Sequence, residues 1–274
     1  MKSHKPEVSI IIPVLNEEDY IENCIESIVG SVKSFDFEIL VIDGGSNDET
    51  LNILDRLTLK YLNLKIIHNP KKITPAALNL GIKDSLGEFI VRLDAHAVYH
   101  DKYIENSVNI LKKSSKEIAN VGGSIITRSN SESIFASSIS LCLSSKFGVG
   151  DSKFRTEIPE TSEFVGTVPF GCFRREIFYE IGLFNENEPR NEDLEFNRRI
   201  IKSGKKILLD PSIRSTYFSR TTLGSLYSQQ FDNGMIVTDK FRGKESFHKL
   251  RHFIPLLFVA YLISIFPFQI ISDK

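Results

Sequence analysis

Within the first 94 residues, a β-branched apolar run is followed three times by a polar turn and a helical pattern, and a fourth run closes the series. This alternation constrains the fold more than any other feature of the chain. The runs are EVSIIIP, FEILVID, LKIIHN and GEFIVRLD. After the first, NEEDYIENCIESIV puts Ile21, Cys24, Ile25 and Ile28 at three- and four-residue spacing, the period of one helix face. After the second, Ser46 and Glu49 form a capping-box pattern ahead of an apolar helix. After the third, Thr74 and Pro75 are a cap and first-turn pair opening PAALNLGIKDS. Such repetition predicts an α/β fold, a mostly parallel sheet with helices on both faces, and ligands at the carboxyl ends of its strands. Asp43 and Asp94 fall at those ends.

Beyond residue 101 the pattern loosens. DKYIENSVNILKKS reads as a helix and IANVGGSIITRS as a strand, but from Asn130 to Pro169 serines abound and no period is sustained. Surface loops and a short helix are expected there. Regularity returns in FRREIFYEIG and in NEDLEFNRRIIKSG, whose Leu194, Phe196, Ile200 and Ile201 fit an amphipathic helix stopped by Gly204. No internal repeat or linker interrupts the 274 residues, and 41% hydrophobic with 25% charged residues suffices for one sizeable core. A net charge of −1 supplies no global field to attract nucleic acid. Cys24, Cys142 and Cys172 are too scattered for a disulfide framework or a Cys-x-x-Cys metal site, which favours a reducing cytosol. The N-terminus runs into a short strand, so no secretory leader is expected.

The far end differs. FIPLLFVAYLISIFPFQII, residues 253–271, carries no charge and is close to the roughly 20 residues that span a bilayer core. Pro255 and Pro267 would interrupt a straight helix, so the segment reads as membrane-associating, either spanning or lying in the interface. A buried core helix is the competing reading. Lys240, Arg242, Lys244, Lys249 and Arg251 precede it, and such a basic flank favours the cytoplasmic side. The expected division is therefore a folded body over 1–245, with halves meeting near residue 100, and a basic flank with its hydrophobic segment over 246–274.

The turn after the first strand, PVLNEE, lacks the Gly-x-Gly-x-x-Gly of a dinucleotide site, and no phosphate-cradling Gly-x-x-x-x-Gly-Lys occurs. Phosphates held here need another partner, and a divalent ion bridging a diphosphate needs only one or two protein ligands. Asp94 and His96, leaving one strand together, offer an oxygen and an imidazole, a pair better suited to Mn²⁺ than to Ca²⁺. Each candidate has a plainer reading. Asp43 could cap its own turn; Asp94 and His96 could be a solvated strand end; Glu17, Glu192 and Asp193 open helices, where acids favour the dipole regardless of chemistry. His68 and His100 read as ordinary surface or core histidines.

Five segments in order, VSIIIPVLNEEDYIENCIESI, EILVIDGGSNDET, PAALNLGIKDSLGEFIVRLDAHA, FGCFRREIFYEIGLFNE and NEDLEFNRRIIKSGKKILLDP, resemble the successive motifs of family-2 glycosyltransferases of the GT-A fold. The likeness is strongest to bacterial exopolysaccharide enzymes of the succinoglycan type, which carry Asp-Ala-His-Ala in place of Asp-x-Asp. It implies a nucleotide-sugar donor, UDP-linked by analogy, a Mn²⁺ or Mg²⁺ ion, and an inverting hexosyltransferase. By the same resemblance Pro13, Asn16 and Glu17 line the nucleoside pocket and Asp43 hydrogen-bonds the base. Asp94 faces ribose and metal, His96 stands where a second aspartate coordinates, and Asp193 is the catalytic base. Glu192, Gly171, Arg220, Gln229 and Gln230 fall in the acceptor or diphosphate region. An imidazole in place of a carboxylate lowers the site's negative charge by one. Processive members show Gln-x-x-Arg-Trp where this chain reads Gln-Gln-Phe-Asp-Asn, so transfer of one sugar is expected, to a saccharide or lipid-linked saccharide at the cytoplasmic face of a membrane. Two alternatives remain at this stage: a sugar-nucleotide nucleotidyltransferase and a non-catalytic nucleotide-sugar-binding scaffold.

Overall fold

The structure is a computed structural model that describes residues 5–129, 131–150, 152–189, 191–219 and 222–228, with 230, 231, 234 and 261. The chain divides into two compact units, Met1–Leu223 and Gly224–Lys274. In the first, strands β1 (Val8–Val14), β2 (Phe37–Asp43), β3 (Leu64–His68) and β4 (Phe89–Arg92) alternate with helices α1 (Ile21–Ser31), α2 (Thr50–Lys60) and α3 (Thr74–Asp84). There follow β5 (Ala97–Tyr99), α4 (Tyr103–Lys113), β6 (Ile118–Arg128), α5 (Ile134–Leu143), α6 (Lys146–Val149), α7 (Lys153–Thr156), β7 (Glu163–Phe164), β8 (Cys172–Arg174), α8 (Glu176–Glu180), α9 (Glu192–Lys202) and β9 (Lys206–Phe218). All four N-terminal strands and the helices between them lie where the alternation predicts.

The strands of the first unit form one sheet in the order β3-β2-β1-β4-β8-β6-β9-β5, with β7 on β9. Parallel pairing runs through β3, β2, β1 and β4 and recurs between β6 and β9. Short antiparallel pairs join β8 to β4 and β6, and β5 and β7 to β9, so the sheet is mixed but mostly parallel, as expected. Helices cover both faces. Val8, Ile10, Ile12 and Val14 of β1 pack with Ile21, Ile25 and Ile28 of α1, while Ile11 points the other way into Leu78 and Ile82 of α3 and Phe196 of α9. This two-sided burial explains the uninterrupted apolar runs. Each fully buried isoleucine contributes about 1.5–3 kcal/mol relative to exposure.

Helix starts depart from two expectations. Ser46 and Glu49 form no capping box: the Ser46 hydroxyl accepts from the Asn16 amide at 2.9 Å, and Glu49 lends its own amide to Glu18 at 2.8 Å. Both groups are drawn into joining the β1–α1 turn to the β2–α2 turn, and Asp48 accepts from the Thr50 amide instead. Thr74 is the first helical residue of α3, with Pro75 in its first turn as expected and Ile73 as the flanking residue.

Among the described residues no helix is long and apolar enough to cross a membrane. Apart from the exposed Tyr261, the segment 253–271 lies outside them, as do Arg220 and Gln229. Gln230, in the second unit, is exposed. Stacked Tyr227 and Phe231 rings, 6.0 Å apart, belong to that unit too.

Candidate active site

Strand order 3-2-1-4 reverses at β1, and open α/β sheets bind ligands at such a switch point. A cleft of about 220 Å³ opens there. Its walls include Pro13 near the end of β1 and Glu17 after it, Gly44 after β2, Lys72 after β3, Asp94 and His96 after β4, and Glu192 at the start of α9. Five of the residues expected from sequence are thus brought together.

The turns that form the cleft are cross-linked. The Asn16 side chain accepts from the Asn47 amide at 2.9 Å, and the Glu17 amide donates to Thr50 Oγ1 at 2.8 Å. Asn16 holds φ +55, a left-handed conformation asparagine tolerates better than most residues. Asp43 is buried, and its carboxylate accepts from the amides of Gly45 (2.8 Å) and Ser46 (3.1 Å). The turn-capping reading of Asp43 is therefore realised, and the carboxylate does not line the cleft. Gly45, at φ +86, lies beneath the Lys72 side chain, whose Nζ would sit 3.3 Å from an added Cβ.

Asp94 is fixed through its backbone. Tyr99 Oη donates to the Asp94 carbonyl at 2.9 Å and accepts from the Asp94 amide at 2.8 Å, so a buried phenol clamps both sides of one residue. Arg92, two residues earlier, places one guanidinium nitrogen 3.0 Å from Asp94 Oδ1 and 3.0 Å from Glu192 Oε1. Its side chain is only 11% exposed and packs 6.0 Å from the Phe170 ring centroid. Burial pulls the guanidinium pKa down, but Asp94 and Glu192 outweigh it and hold the group above its ordinary value. Glu192 moves the other way from a free carboxyl: burial pushes it up to about 7, against the pull of Arg92 and with the help of Asp193. One cation shared between the buried Glu192 and the half-buried Asp94 leaves excess negative charge, which favours the protonated form of Glu192.

Asp193 is half-buried beside Glu192, outside the cleft lining, and its Oδ1 accepts from the Leu194 amide at 2.8 Å. Its helix starts from Asn191 at φ +58. Phe170, at φ +50, is the costlier left-handed residue, and it lies under Arg92. Gly171 follows it without reaching the cleft. An added Cβ there would meet Asn120 Oδ1 at 2.3 Å, and its carbonyl accepts from the Arg92 amide at 3.0 Å. Its role in this structure is close packing.

His96 Nδ1 lies 3.2 Å from Glu17 Oε1. An ionised carboxylate only accepts, so this contact places the proton on Nδ1 and gives Nε2 the lone pair a metal ligand needs. Among the described residues no three His, Cys, Asp or Glu side chains are grouped to hold an ion alone. Asp94 and His96 both line the cleft and offer it a carboxylate oxygen and an imidazole nitrogen, donor types that a divalent cation accepts. Sequence reasoning missed Arg92, Tyr99 and Lys72. An arginine inside the apolar run FIVRL was the available signal, because buried arginines are rarely unpaired; nothing local marks the other two.

The sequence pattern of Glycosyl transferase family 2 matches residues 9–182, and the chain belongs to that family. It is similar to the dolichyl N-acetyl-alpha-D-glucosaminyl phosphate 3-beta-D-2,3-diacetamido-2,3-dideoxy-beta-D-glucuronosyltransferase of Methanococcus voltae, 32% identical over 83% of this chain and 71% of the relative. It is also similar to a succinoglycan biosynthesis protein of Rhizobium meliloti, 30% identical over 90% of this chain and 74% of that protein. Among solved structures, the mannosyltransferase of Pyrobaculum calidifontis in complex with GDP-Man and Mn²⁺ matches with a TM-score of 0.62, covering 93% of this chain and 69% of that one at 18% identity. That last likeness establishes the GT-A-like fold.

Proposed function

We propose that the cleft binds a nucleotide-sugar, UDP-linked by the family resemblance, and that the enzyme transfers one sugar with inversion to a hydroxyl of a saccharide or lipid-linked saccharide. The observation that carries this reading is the convergence of Asp94 and His96 with the acidic start of α9 at one cleft. The names of the archaeal and rhizobial relatives support a lipid-linked or polysaccharide acceptor. The structurally similar mannosyltransferase holds GDP-mannose, so both nucleotides belong in the test.

The Pro13–Glu17 turn and Lys72 wall the nucleoside end. Asp94 and His96 would hold the ion that, when bound, stabilises negative charge on the departing diphosphate. Asp193 removes the proton from the acceptor hydroxyl as its oxygen attacks the anomeric carbon, and the electron pair of the breaking bond leaves on the diphosphate. Such general-base assistance contributes about 10²- to 10⁴-fold. Glu17 sets the His96 tautomer, and Arg92 ties the Asp94 strand end to the helix that carries Asp193.

The test is nucleoside diphosphate release from UDP- and GDP-sugars with oligosaccharide and prenyl-phosphate-linked acceptors. Acceptor-dependent release is the expected result. Pyrophosphate release from a sugar phosphate and a nucleoside triphosphate would instead identify a nucleotidyltransferase. For location we propose the cytoplasmic face of a membrane, on the strength of the basic flank before the uncharged run 253–271. Retention of the intact chain in the pellet after carbonate extraction is expected, and full release would oppose it.

A further inference from the structure

The stretch from 130 to 170, which has no period in sequence, delivers a cation to the cleft region that no motif assigns. Arg155 sits on α7, its guanidinium carbon 5.1 Å from the Tyr217 ring centroid and 5.6 Å from that of Phe154. Tyr217 in turn meets His96 edge-on with centroids 5.1 Å apart, and pairs with Ala97 across β9 and β5. A chain of ring contacts thus runs from Arg155, over Tyr217, to the edge-on imidazole of His96.

The donors of Arg155 are spent differently from those of its peers. Arg174 and Arg175 hold backbone carbonyls, Arg199 holds two carbonyls and Glu195, and Arg92 holds two carboxylates. Among the described residues the Arg155 side chain makes no hydrogen bond or ion pair, although Asp193 and Asp94 are near enough to act on its charge. Burial lowers its pKa, with Tyr217, Asp193 and Asp94 opposing. A planar fork of five donors, held by ring faces beside acidic groups yet hydrogen-bonded to none, suits a ligand with paired anionic oxygens.

Resting on the donor reading above, we propose that Arg155 is a phosphate-binding residue that grips the donor's diphosphate, with Tyr217 aligning it beside His96. As the bond between the anomeric carbon and the phosphate oxygen breaks, the pair remains on that oxygen, Asp193 holds the acceptor's proton, and Arg155 donates hydrogen bonds to the charge so formed.

Calorimetry with Mn²⁺ on wild type, Arg155→Ala and Arg155→Lys tests this, titrating nucleoside, nucleoside monophosphate and nucleoside diphosphate of whichever base wild type prefers. The alanine variant should lose about tenfold or more in diphosphate affinity, in line with a charge-assisted hydrogen bond, with less than about twofold change for nucleoside and monophosphate. Lysine should recover part of the loss, since it keeps the charge without the fork. Unchanged diphosphate affinity and kcat with a raised acceptor KM would overturn the assignment in favour of an acceptor anion. Equal losses for all three ligands would reduce Arg155 to a packing role. A wild type that binds neither UDP nor GDP removes the donor reading and this assignment with it, whereas equal diphosphate binding by wild type and the alanine variant removes the assignment alone.

Discussion

Strands β3, β2, β1 and β4 pair in parallel without a break in register, whereas β6 and β9 pair in parallel across two register shifts and take antiparallel neighbours. In the N-terminal half, each cleft residue sits where its own strand and turn put it. In the C-terminal half, α9 and α7 reach the same region only through contacts made across long stretches of sequence. The two halves meet by specific side chains, above all Arg92, which is carried on β4 and holds Glu192 of α9.

The sharpest way to separate the halves is Asp193→Asn. If the C-terminal half supplies chemistry and the N-terminal half supplies donor affinity, kcat should fall about 10²- to 10⁴-fold, while the dissociation constant of the nucleoside diphosphate stays unchanged by calorimetry. Equal loss of binding and turnover would erase the distinction. Next in size is Arg92→Met, which leaves two carboxylates without their cation. Removing one partner from a buried ion pair costs about 3–5 kcal/mol, and denaturant unfolding should show it. A loss under about 1 kcal/mol, the range of surface pairs, would mean that Arg92 does not join the halves.

Tyr99→Phe removes the phenol that clamps Asp94, leaving the Asp94 amide without its partner and its carbonyl with only the weak Cys24 thiol donor. About 1–3 kcal/mol of stability should be lost, together with nucleotide affinity, and unaltered affinity would show that Asp94 needs no such clamp. The last expected effect is the pH dependence from Glu192. Its folded pKa lies above the ordinary 4.5, at about 7, so the folded state binds more protons between these values. Stability from this group is fully present below about 4.5 and is lost as pH rises through about 7. Glu192→Gln should flatten that part of the profile measured by thermal unfolding, and an unchanged slope would assign it elsewhere.

The same contrast explains what could be read from sequence. FEILVID reads as a strand by itself and forms β2 over the same residues, because both of its faces are buried and no register is in question. β9 did not announce itself. Its KILLDPSIRSTYF contains Asp210-Pro-Ser, a turn signal, at the shift where partners jump from Gly122–Leu209 to Ser124–Arg214, and Asp210 accepts there from the Ser212 amide at 2.9 Å. Gly123 is needed at that point, since an added Cβ would strike the Ile213 carbonyl. Likewise Asp94, His96 and Glu192 were legible through motif and strand-end position. Arg155 was not, because its placement depends on Tyr217, 62 positions onward by sequence numbering.

On the proposed reading, Asp94 and His96 hold a diphosphate through a divalent ion. Calorimetry of wild type and His96→Ala with UDP and GDP, in Mn²⁺ and in EDTA, tests it most directly. The account predicts that one nucleotide binds in Mn²⁺, that EDTA abolishes or sharply weakens that binding, and that the variant binds markedly more weakly in Mn²⁺ while keeping its melting temperature. Binding of the same strength in EDTA and in Mn²⁺, or a His96→Ala protein indistinguishable from wild type, would contradict it.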